Sequence, residues 1–358
     1  MIKYIGSKRV LVPTIVEMVS ECDGVRSVFD LFSGTSRVGR ALKAEGYFVE
    51  SNDLNSYAHA IATCYVQADA TKWRGPATQL IEELAAVAAA ADHGDAGYFT
   101  DTFCHKARYV HPDNGVRVDA VRRAIASKDL PTELEAIALV SLMEATDRVD
   151  STTGVQMAYL KKWASRALNS LELRVPELVP GEGRAHLDDA VERAERGEVS
   201  ADLVYLDPPY NQHSYLGNYH VWETLVRWDA PEAYGVAQKR VDVKERKSDF
   251  NSKRRCMDAM SRLVRHIDAR WLLVSFNNEG FIDRDAMVEL LSSRGPVEVI
   301  ERPFERYVGA KIGIYNPSGE KVGKISHTEN KEYLFRVRVE VPAATGVDPA
   351  PPLGTSAG

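Results

Sequence analysis

The sequence is poor in cysteine and lacks any long apolar segment. Its four cysteines, at positions 22, 64, 104 and 256, include no C-x-x-C pair, so a zinc or iron–sulfur site is not expected, and a disulfide framework still less so. The longest nearly apolar run is the eight-residue segment 84–91, whereas a membrane-spanning helix needs about 20 residues. Met1–Gly6 holds no apolar stretch leading to a small-residue cleavage site. We therefore expect a cytoplasmic protein.

Charge of one sign does not dominate either. Lysine and arginine number 45 and aspartate and glutamate 51, which gives a net charge of −6. This balance argues against a surface that coats nucleic acid everywhere, but it leaves room for a local basic cleft, because a binding field depends on where the charges lie. With 44% apolar and 27% charged residues among 358, the composition is globular, and the length suits about two domains or one domain with a large insertion.

Short apolar segments that end abruptly in polar, Gly or Pro residues indicate buried parallel strands. Three such segments are residues 27–32, 203–206 and 271–276, and helical patterns lie between them. One predicted helix, Arg37–Glu45, stops at Gly46, which suits a helix C-terminus. Strands that alternate with helices predict an α/β sheet with both faces covered.

The middle of the chain shows helical patterns and few strands. We predict helices at Ala77–Ala91, at Met157–Leu171 and after Pro131, where Thr132 and Glu135 have the spacing of a capping box. We interpret this region as a helical insertion in one α/β domain. The predicted boundaries are 1–66 and 181–341 for the two parts of the α/β domain, 67–180 for the insertion and 342–358 for a disordered tail rich in Pro, Gly and Ala.

The most specific motif, Asp207-Pro208-Pro209-Tyr210, follows the strand predicted at 203–206. Two prolines fix the backbone where the chain leaves the carboxyl edge of the sheet, and open α/β sheets bind ligands at that edge. The motif presents a carboxylate, a carbonyl constrained by proline and an aromatic ring. Two acceptors suit the two N–H bonds of an exocyclic amine, while the ring suits the heterocycle. The alternative is a strand-ending loop whose aspartate caps a helix.

The first predicted strand runs into a turn of small residues, Asp30–Gly39, which lacks the G-x-G-x-x-G fingerprint. A nicotinamide dehydrogenase is therefore a poor interpretation, although the small residues of the turn let the backbone approach a ligand closely. The next predicted strand ends at Asp53, 23 residues beyond Asp30. An acid in this place can accept hydrogen bonds from both hydroxyls of a ribose.

Together these motifs resemble those of the S-adenosylmethionine-dependent N6-adenine DNA methyltransferases, in particular the Dam-like class. The segment Lys3–Arg9 is similar to the family's opening motif, and the turn after Asp30 resembles its F-x-G-x-G-like cofactor motif, from which it departs at Thr35-Ser36. Asp53 matches the acid after the second strand, and D-P-P-Y matches the catalytic motif. The similarity covers residues 1–65 and about 185–338, and the insertion lies where this family recognises its target DNA.

The resemblance implies a Rossmann-like class I methyltransferase sheet with a helical target-recognition insertion, S-adenosylmethionine as methyl donor, S-adenosylhomocysteine as product, and no metal. The cofactor-binding residues that it implies are Tyr4, Lys8, Asp30, Phe32, Gly34, Asp53 and Asp189. Asp188 is a rival to Asp189 for the cofactor adenine, and a helix N-cap is the alternative role of Asp189. The catalytic residues would be Asp207, Pro208, Pro209 and Tyr210, which would hold and stack on a flipped adenine.

A basic segment follows the catalytic motif. Between Lys239 and Arg255, eight basic residues face three acidic ones, a local charge of +5. We interpret four of them as phosphate contacts, with a solvated charged face as the alternative: Lys247, Lys253, Arg254 and Arg255. Base recognition is expected in the insertion, where the candidates are Lys106, Arg108, Arg117, Arg122, Arg123, Lys161, Lys162 and Arg166. Tyr215, Tyr219 and His220 either shape the base pocket or pack the following helix.

The predicted function is site-specific methylation of adenine N6 in double-stranded DNA, in restriction–modification or phage DNA protection. A cognate restriction endonuclease or defence-system subunits are the expected protein partners. Three alternatives stay open: methylation of cytosine N4, methylation of adenine in RNA, and a catalytically silent DNA-binding subunit of a defence complex. Because Tyr4, Lys8, Asp53, Asp207 and Tyr210 are all intact, the silent subunit is disfavoured.

Overall fold

The computed structural model describes residues 1–157, 162–305 and 329–340, so the predicted tail at 342–358 and Lys161 lie outside the described residues. The helices are α1 (Val12–Ser20), α2 (Arg37–Ala44), α3 (Ser56–Ala62), α4 (Ala70–Ala90), α5 (Pro112–Ala126), α6 (Thr132–Arg148), α7 (Ala190–Glu195), α8 (Tyr215–Asn218), α9 (His220–Arg227), α10 (Cys256–His266) and α11 (Arg284–Ser292). The strands are β1 (Ser27–Asp30), β2 (Phe48–Asp53), β3 (Gly183–Leu187), β4 (Ser200–Leu206), β5 (Ala233–Tyr234), β6 (Lys239–Arg240), β7 (Asp268–Asn277), β8 (Val297–Glu305) and β9 (Glu329–Arg338).

Seven strands form one mostly parallel sheet in the order β3-β2-β1-β4-β7-β9-β8, and β5 pairs with β6 in a short hairpin. Strands β3, β2, β1, β4 and β7 run parallel, whereas β9 is antiparallel to both of its neighbours. In this register Asp30 lies opposite Ser51 of β2 and Tyr205 of β4. The prediction of a Rossmann-like α/β sheet is confirmed, and its carboxyl edge brings the ends of β1, β2 and β4 together.

The sheet is buried on both faces, because successive residues of each strand point to opposite sides. Phe29, Val204 and Leu272 pack on one face with residues of α7, α10 and α11. Their neighbours Val28, Leu203 and Leu273 pack on the other face with α1 and α2. Burial on both faces explains why these strands are continuous apolar runs in the sequence.

Helices α4, α5 and α6 form a third core together with α3 and α9. The helices predicted near 77–91 and after Pro131 are confirmed, but α6 begins at Thr132 itself with Pro131 at its N-cap, so the predicted capping box does not form. The predicted helix Met157–Leu171 is wrong over its described part, where only Ser165–Leu168 makes a short turn. Tertiary contacts override the helical pattern there, since Arg166 donates to Asp150 and to the Thr152 carbonyl. The domain boundaries stay a prediction.

The four cysteines are free and buried. Within the described ranges, no group of three or more His, Cys, Asp or Glu side chains is placed to hold a metal ion. Among the helices of the same ranges, none is both long and apolar enough to cross a membrane.

Candidate active site

A cavity of about 980 Å³, counted with its open mouth, lies at the carboxyl edge of the sheet. It is lined by most of the residues that the sequence assigns to the site: Tyr4, Lys8, Asp30, Phe32, Gly34, Asp53, Asp188, Asp189, Asp207 and Pro209. These residues come from the N-terminal segment and from the ends of β1, β2, β3 and β4. Their meeting in one cavity is a consequence of the parallel sheet, which places the carboxyl ends of its strands side by side.

The turn after β1 carries a fixed carboxylate contact. Gly34 has φ +49°, a left-handed conformation that glycine adopts without strain. In this conformation its N–H donates to Asp53 Oδ2 at 2.9 Å, while Asp53 Oδ1 accepts from the backbone and side-chain nitrogens of Asn55. Burial raises the pKa of Asp53, and these hydrogen bonds oppose the rise. The carboxylate is therefore held rigidly at the end of β2.

Asp30, at the end of β1, has the opposite environment. It is 1% exposed, and neither carboxyl oxygen makes a well-formed hydrogen bond with a described residue. Burial, and then the charge of Asp207, raise the pKa of Asp30 to about 8, although the Gly39 backbone opposes the rise. Ser33 Oγ and Asn52 Oδ1 are also buried without partners in the described structure, and both residues line the cavity. A polar ligand in the cavity would satisfy these groups.

Tyr4 closes one side of the cavity through an aromatic stack. Its ring lies parallel to those of Tyr215 and Tyr219, with centroid distances of 5.1 and 4.4 Å, and its hydroxyl lies 3.1 Å from that of Tyr57. Tyr215 lines the cavity. Tyr219 and His220 are buried, and His220 bonds the Gln156 carbonyl. Of the three residues considered for the base pocket, the structure therefore puts only Tyr215 at the cavity.

The Asp207 carboxylate is paired with a buried lysine. Lys8 Nζ lies 3.0 Å from Asp207 Oδ1 and also contacts Glu332 Oε1. Burial raises the pKa of Asp207 to about 6, with Lys8 lowering and Glu332 raising it. Burial lowers the pKa of Lys8, but Asp207 and Glu332 outweigh it and hold that pKa well above its ordinary value. Lys8, which the sequence predicts as a cofactor contact, thus lines the cavity as the partner of the D-P-P-Y carboxylate.

The other members of the D-P-P-Y motif differ in whether they line the cavity. Pro209 lines the cavity, whereas Pro208 and Tyr210 are not among its lining residues. The Tyr210 ring packs edge-on against Phe276 with centroids 6.2 Å apart, and its carbonyl accepts from the Phe281 backbone N–H. Stacking of Tyr210 on a base therefore stays a prediction.

Asp188 and Asp189 both line the cavity at the end of β3. Asp189 Oδ1 accepts from the backbone N–H groups of Val191 and Glu192, so the helix N-cap considered for this residue is confirmed. Asp188 pairs with Arg196. A contact of either aspartate with the cofactor stays a prediction.

The basic segment divides into paired and unpaired side chains. Lys247, Lys253 and Arg254 are exposed and have no ion pair with any described residue, whereas Arg255 lies 2.7 Å from Asp249. Arg246 lines the cavity and lies 2.8 Å from the fully buried Glu223.

Several basic residues of the insertion that were candidates for base recognition form hydrogen bonds or ion pairs with other residues of the protein. Arg122 is 4% exposed and donates to the carbonyls of Leu225 and Val226, so its role as a base contact is wrong in this conformation. Arg123 pairs with Asp95, and Arg166 pairs with Asp150.

The sequence did not indicate two charged residues of the site. Glu332 was not predicted at all, and Arg246 was predicted as part of the basic segment but not as a residue that lines the cavity. Glu332 lies on β9, which we did not predict. The alternation of apolar Tyr333, Phe335 and Val337 along this segment is a signal for a strand. That signal does not show which ion the strand carries to the site.

The sequence matches the family model described as D12 class N6 adenine-specific DNA methyltransferase over residues 4–289. This match covers most of the chain, including every cavity residue predicted from the sequence. The chain belongs to this family.

Its relatives include modification methylases. It is 33% identical to modification methylase StsI of Streptococcus sanguinis over 335 residues, 87% of this chain and 49% of that protein. It is 28% identical to the type II methyltransferase M.FokI of Planomicrobium okeanokoites over 367 residues, 96% of this chain and 54% of that protein. It is 26% identical to the type II methyltransferase M.NlaIII of Neisseria lactamica over 343 residues, 92% of this chain and 99% of that protein. The chain thus spans about half the length of the first two relatives.

Proposed function

We propose that the protein is a site-specific modification methylase, which transfers a methyl group from S-adenosylmethionine to N6 of adenine in double-stranded DNA. Its biological setting would be restriction–modification or phage DNA protection, with a cognate restriction endonuclease or defence-system subunits as partners. The observation that carries the proposal is the single cavity shared by Asp207, Tyr4 and Asp53. An enzyme that acts on cellular DNA works where that DNA lies, so the proposal includes a cytoplasmic location.

The donor set of the cavity fits S-adenosylmethionine, which supplies a methyl group on a positively charged sulfur. Asp53, fixed by Gly34 and Asn55, suits the two ribose hydroxyls. The unsatisfied groups of Asp30, Ser33 and Asn52 suit the polar amino-acid part of the molecule. In the same proposal the pocket for S-adenosylmethionine is completed by Tyr4, Lys8, Phe32 and Gly34. Asp189 or its neighbour Asp188 contacts the adenine of the cofactor.

Asp207 and Pro208 would bind the acceptor amine. The N6 lone pair of adenine is delocalised into the ring, so the amine is a poor nucleophile. Two acceptors, the Asp207 carboxylate and the Pro208 carbonyl, would favour a more tetrahedral nitrogen whose lone pair is available. A pKa of about 6 leaves Asp207 mostly ionised at neutral pH. Alignment of two reactants can supply about 7–11 kcal/mol of the barrier reduction.

A base in duplex DNA does not reach this geometry, so the adenine would be flipped out, at a cost of a few kcal/mol. Stacking of Tyr210 would offset about 1–3 kcal/mol of that cost. Exposed Lys247, Lys253 and Arg254, and Arg255 after release from Asp249, would contact phosphates beside the cavity. The exposed basic residues of the helical insertion would read bases.

The test is Asp207→Asn. We expect it to lower methylation of DNA by at least about 10³-fold, because the amide has one acceptor oxygen and no charge. Methylated nucleosides are measured by mass spectrometry, which separates N6-methyladenine from N4-methylcytosine, and an RNA substrate is run in parallel. S-adenosylmethionine binding, measured by calorimetry, should persist.

The matched control is Asp268→Asn, which neutralises an exposed carboxyl at the opposite end of the sheet, where β7 begins. It should keep full activity. Methylation by Asp207→Asn at the wild-type rate would contradict the proposal. If the wild-type protein methylates only cytosine, it is a cytosine-N4 methyltransferase. If it methylates only RNA, it is an RNA adenine methyltransferase.

A further inference from the structure

Glu332 is a buried charge that no part of the proposed chemistry uses, although it contacts Lys8, the partner of Asp207. It lies on β9, beyond the 4–289 region of the family match, and its side chain is 4% exposed. Its Oε1 contacts Lys8 Nζ and accepts from Ser275 Oγ at 2.8 Å, and its Oε2 accepts from Asn277 Nδ2 at 3.3 Å. A buried carboxylate with this many donors is fixed in position.

The position of Glu332 follows from the antiparallel pairing of β9 with β7, in which Asn277 lies opposite Glu332. Ser275 and Asn277 are on β7, the strand next to β4, and Asp207 directly follows β4. Lys8 arrives from a segment 324 positions away. The lysine therefore lies between two carboxylates, one facing the cavity and one behind it.

The charges of Lys8, Asp207 and Glu332 do not cancel. Lys8 carries one positive charge, whereas Asp207 and Glu332 carry two negative charges when both are ionised. Asp207 Oδ1 is engaged by Lys8 at 3.0 Å, while Oδ2 has no hydrogen-bonding partner among the described residues. Since Glu332 holds Lys8 from behind, the ammonium is shared, and Asp207 keeps an oxygen for an incoming N–H donor.

Other groups face Asp207 as well. They are Asp30 from β1, Tyr205 from β4, Tyr210 from the following loop and Tyr215 from α8, each of which has an electrostatic interaction with Asp207. The three tyrosines have pKa values raised by burial and stay neutral near pH 7. Asp30 is also mostly protonated there. Lys8 and Glu332 are therefore the charged groups that set the state of Asp207.

We propose that Glu332 is a positioning residue for methyl transfer, which acts through Lys8 to fix the orientation and charge of the Asp207 carboxylate. The proposal rests on the proposed function for its role in catalysis, but the electrostatic link itself does not depend on that function. Glu332 is not among the residues that line the cavity, so it acts from behind Lys8, by holding the ammonium in place and by the repulsion between its charge and that of Asp207.

Glu332→Gln keeps the shape of the side chain and removes its charge. Lys8 then has Asp207 as its only carboxylate partner, and it competes with the adenine amine for the Asp207 oxygens. We expect kcat to fall by about 10- to 100-fold, since small misplacements at a reacting centre have effects of this size, while KM for S-adenosylmethionine stays unchanged.

The decisive readout is the titration of Asp207, followed by NMR with aspartate labelled at its carboxyl carbon. The resonance is assigned by its absence in Asp207→Asn. Glu332→Gln should move the Asp207 midpoint to lower pH, because a like charge is lost, and Lys8→Gln should move it to higher pH, because the cation is lost. The acid limb of kcat/KM should shift in the same directions.

Glu301→Gln is the matched control, because it removes a glutamate charge from the neighbouring strand β8, where Glu301 pairs with exposed Lys331 outside the cavity. It should leave both the titration and kcat unchanged. If Glu332→Gln does not fold, Ser275→Ala removes one hydrogen bond to Glu332 and keeps every charge, and it should lower kcat by less than Glu332→Gln is expected to. Thermal unfolding of each variant checks the fold.

An Asp207 midpoint that is the same in wild type and Glu332→Gln would overturn the proposal, and so would an unchanged kcat in both Glu332→Gln and Ser275→Ala. If the wild-type protein methylates no nucleic acid, the proposed function fails. The titration still decides whether Glu332 acts on Asp207.

Discussion

Asp119 and Asp30 are both buried aspartates, one in the helical layer and one at the cavity, and their surroundings differ. Asp119 on α5 is 0% exposed and accepts hydrogen bonds from the backbone N–H groups of Gly97, Phe99 and Thr100 and from the Thr100 hydroxyl. Asp30 is equally buried, yet neither of its oxygens makes a well-formed bond with a described residue. A buried carboxyl without partners is costly, so its presence at the sheet edge points to a ligand site.

The same contrast extends to neutral groups. In the helical layer, Asn114 donates to the carbonyls of Ala167 and Asn169 and accepts from the Leu171 N–H. At the cavity, Ser33 Oγ and Asn52 Oδ1 lack partners in the described structure. Asp119 and Asn114 thus use their side chains to bond the backbone of the helical layer, while the cavity leaves Asp30, Ser33 Oγ and Asn52 Oδ1 available to a ligand.

The largest effect should come from Asp119→Ala. Three backbone N–H groups and one hydroxyl would lose a buried acceptor, so we expect the free energy of unfolding to fall by about 3 kcal/mol or more. Urea denaturation measures it. Asp30→Asn, which replaces a mostly protonated acid with a neutral amide, should change stability little at pH 7. Equal losses in the two variants would contradict the difference between the surroundings of Asp119 and Asp30.

A second prediction concerns pH. Because the pKa of Asp30 is raised to about 8 in the folded protein, the folded state holds a proton that the unfolded state has released. Stability should therefore fall as pH rises toward 8. Between pH 6.5 and 8 the loss should be up to about 2 kcal/mol. The measurement is the unfolding free energy in urea at several pH values.

Between pH 6.5 and 8, Asp30 is the main group that makes stability fall. Asp207 and Asp147 have pKa values raised to about 6, so their contributions are nearly complete below pH 6.5. The pKa values of His220 and Lys43 are lowered to about 3 and about 8, so each makes stability rise slightly with pH in this window and opposes the loss. Asp30→Asn should remove the slope and Asp147→Asn should keep it. A slope that persists in Asp30→Asn would show that another group causes it.

The smallest effect should come from the surface. Arg123 and Arg166 of the helical region have ion-pair partners, whereas Lys253 and Arg254 have none in the described ranges. For Lys253→Ala plus Arg254→Ala we expect the slope of log K against log salt for DNA binding to decrease by about 2, because each of the two side chains would neutralise one phosphate.

The control for this variant is Arg270→Ala, because Arg270 is an exposed residue at the opposite end of the sheet that pairs with Asp202. Its salt slope should equal that of the wild-type protein. If the double variant also keeps the wild-type slope, these two residues are a solvated charged face, the alternative considered from the sequence.

Much of the sheet could be predicted from the sequence because β1, β4 and β7 are short apolar runs that end in polar residues, and because β2 ends in the acid Asp53. Strands β3, β8 and β9 of the sheet were not predicted. Of these, β3 and β8 are edge strands, whose residues are partly exposed and mixed in character, and edge strands do not need continuous apolar runs. The helix predicted at 157–171 failed in its described part because local pattern says nothing about Asp150, which holds Arg166.

The motifs and their order can be read from the amino-acid sequence: the turn of small residues after β1, the acid at the end of β2 and D-P-P-Y after β4. Each is local, so its chemistry can be inferred from adjacent residues and the strand before it. Only the tertiary structure shows that Lys8 lies between Asp207 and Glu332 and that neither Asp30 oxygen makes a well-formed hydrogen bond with a described residue. Ion pairs and buried, unsatisfied groups depend on which strands from distant parts of the chain become neighbours. Glu332, for example, reaches Lys8 only because β9 pairs with β7.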